Sequence, residues 1–153
     1  MYTVTKQYRA EIAHRLINYE GKCAHLHGHS YLFEATATAL DLDDRGMIVD
    51  FKDLKHAMKE VLEPYDHACV LHIDDPMCTG LLSYGSSVYH ALKATNGESG
   101  RLHLWAMNPT AEAMAKAFAD EINTILAPTT WLTKFVVWET ATSHATWTPE
   151  EAQ

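Results

Sequence analysis

The stretch Cys23-Ala24-His25-Leu26-His27-Gly28-His29 places a thiol and three imidazoles within seven residues of a chain that holds ten histidines. On a strand, alternate side chains share a face and lie roughly 6.5–7 Å apart. Two imidazoles so spaced can converge on one ion through metal–nitrogen bonds of about 2.0–2.1 Å. His27 and His29 therefore form a candidate metal pair. Gly28 between them leaves the opposite face bare for a bend or a close approach. His14, at the end of an alternating N-terminal segment, is the natural third ligand. Three His ligands leave a fourth position open, the pattern of a catalytic zinc. Cys23 as a fourth ligand would make a closed structural site instead, and spacing leaves that alternative open. A His-rich strand holding no metal is the bland alternative, against which His14 and the nearby Cys23 weigh.

Asp66-His67 is a second candidate, because a carboxylate can fix a His tautomer and raise its basicity for proton transfer. Its bland counterpart is a surface turn. Glu139 follows the apolar and aromatic run Phe135-Val136-Val137-Trp138. It either faces solvent on the polar side of a sheet or binds a cationic or amidine-like group. Glu112 is explained by position alone, since acidic residues suit the first turn of a helix.

The elements that must position these residues follow from periodicity. Tyr2 to Ile12 alternates and reads as a strand, as does His27 to Leu40. Asp41 to Gly46 is a turn, and Asp50 is a helix N-cap. Leu54, Ala57, Met58, Val61 and Leu62 have helical spacing within Phe51 to Glu63, and Pro64 stops that helix. A second helix is expected to open at Asn108-Pro109, with Asn as cap and Pro in the first turn, and to end before Pro128. Leu102 to Ala106 and Trp131 to Thr140 read as strands. The order predicts an α+β layer with two helices on one face of a largely antiparallel sheet. Asp74 to Gly100, with four glycines around a possible short helix at Ser86 to Ala94, reads as an insertion between the helices of a single domain, 1–153.

Composition narrows the function. The 153 residues are 47% hydrophobic and 21% charged, enough to bury a core without disulfides. Lys plus Arg number 12 and Asp plus Glu 20, for a net charge of −8. General affinity for nucleic acid or anionic membrane is not expected, because those surfaces select basic patches. Three cysteines, an odd number, fit a reducing, cytoplasmic compartment. Met1 to Ala10 lacks the apolar core of a signal peptide, and no apolar run is long enough to span a membrane.

Jointly, these segments resemble the family of 6-pyruvoyl- and 6-carboxy-tetrahydropterin synthases. The resemblance is carried by Ala13-His14-Arg15-Leu16, by Cys-x-x-x-His-Gly-His over Cys23 to His29, and by Gly46-Met47-Ile48-Val49-Asp50-Phe51-Lys52-Asp53-Leu54. Asp66-His67, Asn108-Pro109-Thr110-Ala111-Glu112 and Glu139-Thr140 complete it. It implies a tunnelling fold: a four-stranded antiparallel sheet with two helices packed on one face. It also implies a homo-oligomer, a hexamer built as a dimer of trimers, with active sites between subunits. It places zinc on His14, His27 and His29, makes Cys23 the catalytic base and makes Asp66-His67 an acid/base dyad. Glu139 would anchor the pterin, and Thr110 matches a position near it. The pterin triphosphate substrate needs local positive charge, for which Arg15 and Lys22 are the candidates.

Three residues separate Cys23 from His27, as in the 6-carboxy enzymes of the queuosine pathway; animal 6-pyruvoyl enzymes typically have a longer gap. The implied reaction converts 7,8-dihydroneopterin triphosphate to 6-carboxy-5,6,7,8-tetrahydropterin, releasing acetaldehyde and triphosphate. The alternatives are 6-pyruvoyl-tetrahydropterin synthase or a related dihydropterin enzyme, and a non-catalytic pterin- or zinc-binding member. Cys23, Asp66 and His67 together argue against the last. His25 stands where close relatives usually carry Arg. It either competes for the metal, replaces the Arg contact or is simply an exposed polar residue. Cys69 and Cys78 match no role.

Overall fold

Alternation sets the two long strands of the computed structural model, which describes residues 1–78, 101–126 and 130–149. Strand β1 spans Tyr2–His14 and β2 spans His27–Ala39. A 3-10 turn at Lys22–Ala24 lies between them. Helix α1 (Phe51–Leu62) is followed by a 3-10 turn at Glu63–Tyr65, then β3 (Ala68–His72) and β4 (Leu102–Trp105). Helix α2 (Ala111–Ile125), β5 (Leu132–Trp138) and β6 (His144–Trp147) complete the described elements.

Hydrogen bonding orders the strands β4-β3-β1-β2-β5-β6. This corrects the expected four-stranded antiparallel sheet: the described strands number six and the sheet is mixed. β2–β5 and β5–β6 are antiparallel, whereas β1–β3 and β3–β4 are parallel. The missed strands are short. β3 is a five-residue apolar run directly behind Asp66-His67, and β6 has four residues close to the C-terminus. Parallel neighbours require a crossover of a dozen residues or more. Cys69 is in register with Leu102, and the chain joining β3 to β4 contains the stretch read from sequence as an insertion. The short helix expected at Ser86 to Ala94 lies outside the described residues.

The contacts divide the chain into two compact units. The first comprises Met1–Ala10, Ser30–Glu63 and Ala111–Gln153. Its core takes Leu54, Met58 and Leu62 from α1, Met114, Phe118 and Ile122 from α2, and Tyr31, Phe33, Leu132 and Phe135 from β2 and β5. Phe33 meets Phe118 edge-on at 5.7 Å and lies near-parallel to Phe135 at 6.2 Å. Each such buried ring contributes roughly 1.5–3 kcal/mol over exposure. Asp50, in extended conformation, accepts a hydrogen bond from the Lys52 amide at 2.8 Å and caps α1 as expected. The turn before it is organised by Asp43, whose carboxylate accepts from the Arg45 and Met47 amides, each at 2.9 Å, and from the Arg45 guanidinium. Gly46 takes the positive φ of 77° that closes this turn.

The second unit comprises Glu11–His29 and Pro64–Thr110. Within it the end of β1 pairs with β3 in the register Ile12↔Ala68 and His14↔Val70. Ile12, Val70 and Leu71 are fully buried. Among the described residues no helix is long and apolar enough to cross a membrane.

Candidate functional site

The last residue of β1 and the first turn of pleats in β2 bring three imidazoles together in the second unit. Ring centroids of His14, His27 and His29 lie 4.6 Å, 5.3 Å and 4.9 Å apart. One nitrogen from each lies within 4.8 Å of the others. Strand alternation puts His27 and His29 on one face. Gly28 permits the approach: a Cβ there would stand 3.2 Å from the Ile12 carbonyl oxygen.

The hydrogen bonds of this group select the tautomers. His14, 1% exposed, has Nδ1 at 2.8 Å from the Pro109 carbonyl oxygen. His27 has Nδ1 at 2.7 Å from the His25 carbonyl oxygen. A carbonyl only accepts, so both Nδ1 atoms carry the hydrogen, which makes Nε2 the nitrogen that each ring would offer to a metal. This is the outer-shell arrangement that orients metal-ligating imidazoles. Three imidazole donors with no carboxylate or thiolate among them suit a borderline divalent ion. The group can therefore hold a metal, as the spacing predicts.

Cys23 and His25 stand outside that group. The contact His25 makes with His27 is through its backbone, which any residue type supplies, and its side chain is exposed. Cys23 sits in the 3-10 turn, partly exposed, and its carbonyl accepts from the Leu16 amide at 2.9 Å. Gly21 opens that turn at φ 143°, where a Cβ would stand 2.9 Å from the Tyr19 ring. Lys22 lies exposed on the same turn.

Arg15 is engaged by a residue that sequence reasoning missed. Its Nε lies 3.2 Å from Oδ2 of Asp75, whose side chain is fully buried. The other Asp75 oxygen accepts from the Met77 amide at 2.8 Å. The Asp75-Pro76 dipeptide carried the available signal, a cap followed by a first-turn proline.

The Asp66–His67 pair is formed: His67 Nδ1 lies 2.9 Å from Asp66 Oδ2. Glu11 holds both residues through its backbone. Its amide donates to Asp66 Oδ1 at 2.7 Å, and its carbonyl accepts from the His67 amide at 2.7 Å. The Arg101 guanidinium donates to the Asp66 carbonyl. His67 occupies the left-handed region at φ 55°, and its side chain is 73% exposed. Burial pushes the Asp66 carboxyl up, but the Glu11 amide, His67 and Arg101 outweigh it and hold the group below its ordinary value.

Glu139 heads the turn between β5 and β6 rather than continuing the strand, which ends at Trp138. Its amide donates to the Ser143 carbonyl at 3.1 Å, and Oε1 accepts from the Tyr31 hydroxyl at 3.2 Å. Asn108 does not cap α2, which begins at Ala111; its side chain bonds the Ile17 backbone instead. Thr110 is half-buried, its amide donating to the Asn108 carbonyl at 2.9 Å. Burial, with the nearby Cys78 and Asp75, pushes the Cys69 thiol up to about 11. Cys78 is buried and donates to the His72 carbonyl at 3.4 Å.

A family model described as 6-pyruvoyl tetrahydropterin synthase matches residues 3–150. The chain is 32% identical to the 6-carboxy-5,6,7,8-tetrahydropterin synthase of Aquifex aeolicus (strain VF5), over 97% of this chain and 99% of that protein. It is also 32% identical to the enzyme of the same name from Rickettsia bellii (strain RML369-C), over 80% of each. In fold it is similar to an uncharacterized protein of Wolinella succinogenes, with TM-score 0.79, 21% identity and coverage of 97% and 98% of the two chains. The 6-pyruvoyl tetrahydropterin synthase of Caenorhabditis elegans superposes with TM-score 0.68 at 19% identity, covering 97% of this chain and 96% of that one.

Proposed function

Because the chain belongs to the 6-pyruvoyl tetrahydropterin synthase family, we propose that it is a zinc-dependent carbon–carbon lyase. It converts 7,8-dihydroneopterin triphosphate to 6-carboxy-5,6,7,8-tetrahydropterin, with release of acetaldehyde and triphosphate. The observation that carries this reading is the imidazole group of His14, His27 and His29, with Nδ1 of two rings already bonded to carbonyls. Identity of about a third to 6-carboxy synthases over most of the chain supports the carboxy product. So does the three-residue gap from Cys23 to His27.

His14, His27 and His29 would hold the zinc, which when bound supplies a Lewis acid for the side-chain oxygens of the substrate. Cys23, as its thiolate, removes a proton from a substrate side-chain carbon. His67 Nε2 takes up or returns protons as triphosphate leaves and the side chain is cleaved. Asp66 orients that ring through Nδ1. Glu139 accepts hydrogen bonds from the amino-pyrimidine edge of the pterin, with Thr110 near the same ligand. Lys22 and Arg15 supply positive charge for the triphosphate, Arg15 with its Nε already beside Asp75. The working form is a homo-oligomer, a hexamer of two trimers with sites between subunits, in the cytoplasm.

The test is incubation of zinc-loaded protein with dihydroneopterin triphosphate, followed by mass analysis of the pterin and an acetaldehyde assay. Carboxylated tetrahydropterin with acetaldehyde is the expected outcome. A pyruvoyl product would move the chain to the sister activity, and zinc binding without turnover would reduce it to a binding protein.

A further inference from the structure

His14 is the most buried member of the imidazole group, and the atom that orients it belongs to the backbone of a distant segment. The Pro109 carbonyl accepts from His14 Nδ1 at 2.8 Å, 95 residues away in sequence. Proline has a fixed φ and no amide hydrogen of its own. The Thr110 amide donates to the Asn108 carbonyl at 2.9 Å, closing a three-residue turn with Pro109 at its centre. Proline suits such a turn, whose common form needs a negative φ at that position. The turn is rigid within itself, so the direction of the Pro109 carbonyl depends on what anchors the turn as a whole.

The Asn108 side chain provides an anchor. Its Oδ1 accepts from the Ile17 amide at 2.9 Å, and its Nδ2 donates to the Ile17 carbonyl at 2.9 Å. One carboxamide thus satisfies both backbone groups of a single residue, as a neighbouring strand would. Both bonds are partly shielded from water, and Ile17 lies three residues beyond His14 on the same run of chain. Asn108 therefore ties the turn to the segment that carries the ligand. Asp cannot replace it, because a carboxylate would face the Ile17 carbonyl with no hydrogen to donate.

We propose that Asn108 is a positioning residue for His14: it pins the Pro109 turn to Ile17 and so holds the tautomer in which Nδ1 of His14 donates to the Pro109 carbonyl and Nε2 is the metal-binding nitrogen. The inference rests on the reading of the imidazole group as a metal site and names a residue that acts on it through another.

The experiment measures zinc affinity by competition with a chromophoric chelator, together with the absorption spectrum of the cobalt(II)-substituted protein. Wild type is compared with Asn108→Ala, Asn108→Asp and Asn123→Ala. Asn123 makes an equivalent side-chain bond, accepting from the Leu132 amide at 2.7 Å in the other unit. Its loss serves as the control for a merely structural effect. Both Asn108 variants are expected to weaken zinc about 10- to 100-fold and to alter the cobalt spectrum. Asn123→Ala is expected to lower the melting temperature of the metal-free protein while leaving zinc affinity at the wild-type value. Wild-type zinc affinity in either folded Asn108 variant overturns the inference, as does an equal loss in Asn123→Ala. Wild-type protein that holds no zinc, or holds it equally well after His14→Ala, overturns the metal site itself, which is a different result.

Discussion

Asp66 accepts from the Glu11 amide and pairs with His67, and these contacts hold its carboxyl below the ordinary value of about 3.9. A carboxyl lowered on folding contributes stability that is full above its unfolded value and lost as pH falls through the native one. Asp66→Asn is therefore expected to melt slightly below wild type at pH 7, with the gap closing as pH falls below the ordinary carboxyl range. Exposure of the partner ring keeps the effect small. A gap that persists unchanged in acid would contradict the assignment; a melting series across pH decides it. The thiols differ by environment in the same way. Cys69, pushed up to about 11, is a protonated thiol at pH 8, and Cys78 is buried, while Cys23 is partly exposed on its turn. Brief alkylation at pH 8, read by peptide mass analysis, is expected to label Cys23 first; prior labelling of Cys69 would contradict this. At this scale the imidazole group was legible from type and spacing, because strand parity alone brings His27 and His29 to one face. Asp75 was not. A buried carboxylate beside Arg15 depends on where the chain returns after β3, which no local pattern encodes.

The elements that carry these residues were mostly legible where periodicity is long. α1, with its Asp50 cap, and the two long strands follow the expected spans closely. The short strands β3 and β6 did not, since four or five residues make too short a run for alternation to separate strand from loop. Asn108-Pro109 misled for a physical reason: Asn favours caps, but here its amide found the Ile17 backbone and α2 starts later. Two substitutions probe this scale. Gly28→Ala forces a Cβ to 3.2 Å from the Ile12 carbonyl, so the strands must part between two of the imidazoles. Weaker zinc binding with an intact fold is expected by chelator competition, and unchanged affinity would show that the close approach is dispensable. Asp50→Ala removes the cap of α1 and is expected to cost about 1 kcal/mol by urea denaturation; a change within about 0.2 kcal/mol would place the start of the helix under other control.

For the whole molecule, the acidic balance of −8 leaves the triphosphate of the proposed substrate to local cations. Lys22→Glu is expected to raise KM for dihydroneopterin triphosphate at least tenfold with a smaller effect on kcat, because the charge binds ground state and transition state alike. An unchanged KM would remove Lys22 from the site. Light scattering after size exclusion is expected to give the mass of six chains; a monomer that turns over substrate at the full rate would dismiss the inter-subunit site. Assembly of this kind is not legible in periodicity or charge, since closure between copies depends on surfaces that a single chain does not pattern distinctively. The parallel β3–β4 pair escaped for a related reason: the register Cys69↔Leu102 joins segments far apart in sequence, which no local pattern encodes.

The most direct measurement is a zinc titration of chelator-stripped protein, with acetaldehyde release from dihydroneopterin triphosphate followed at each addition. Activity is expected to rise linearly and break at one zinc per chain, with His27→Ala remaining silent throughout. Full acetaldehyde release from the stripped protein, or an identical titration curve for His27→Ala, would contradict the assignment of His14, His27 and His29 as the centre of the chemistry.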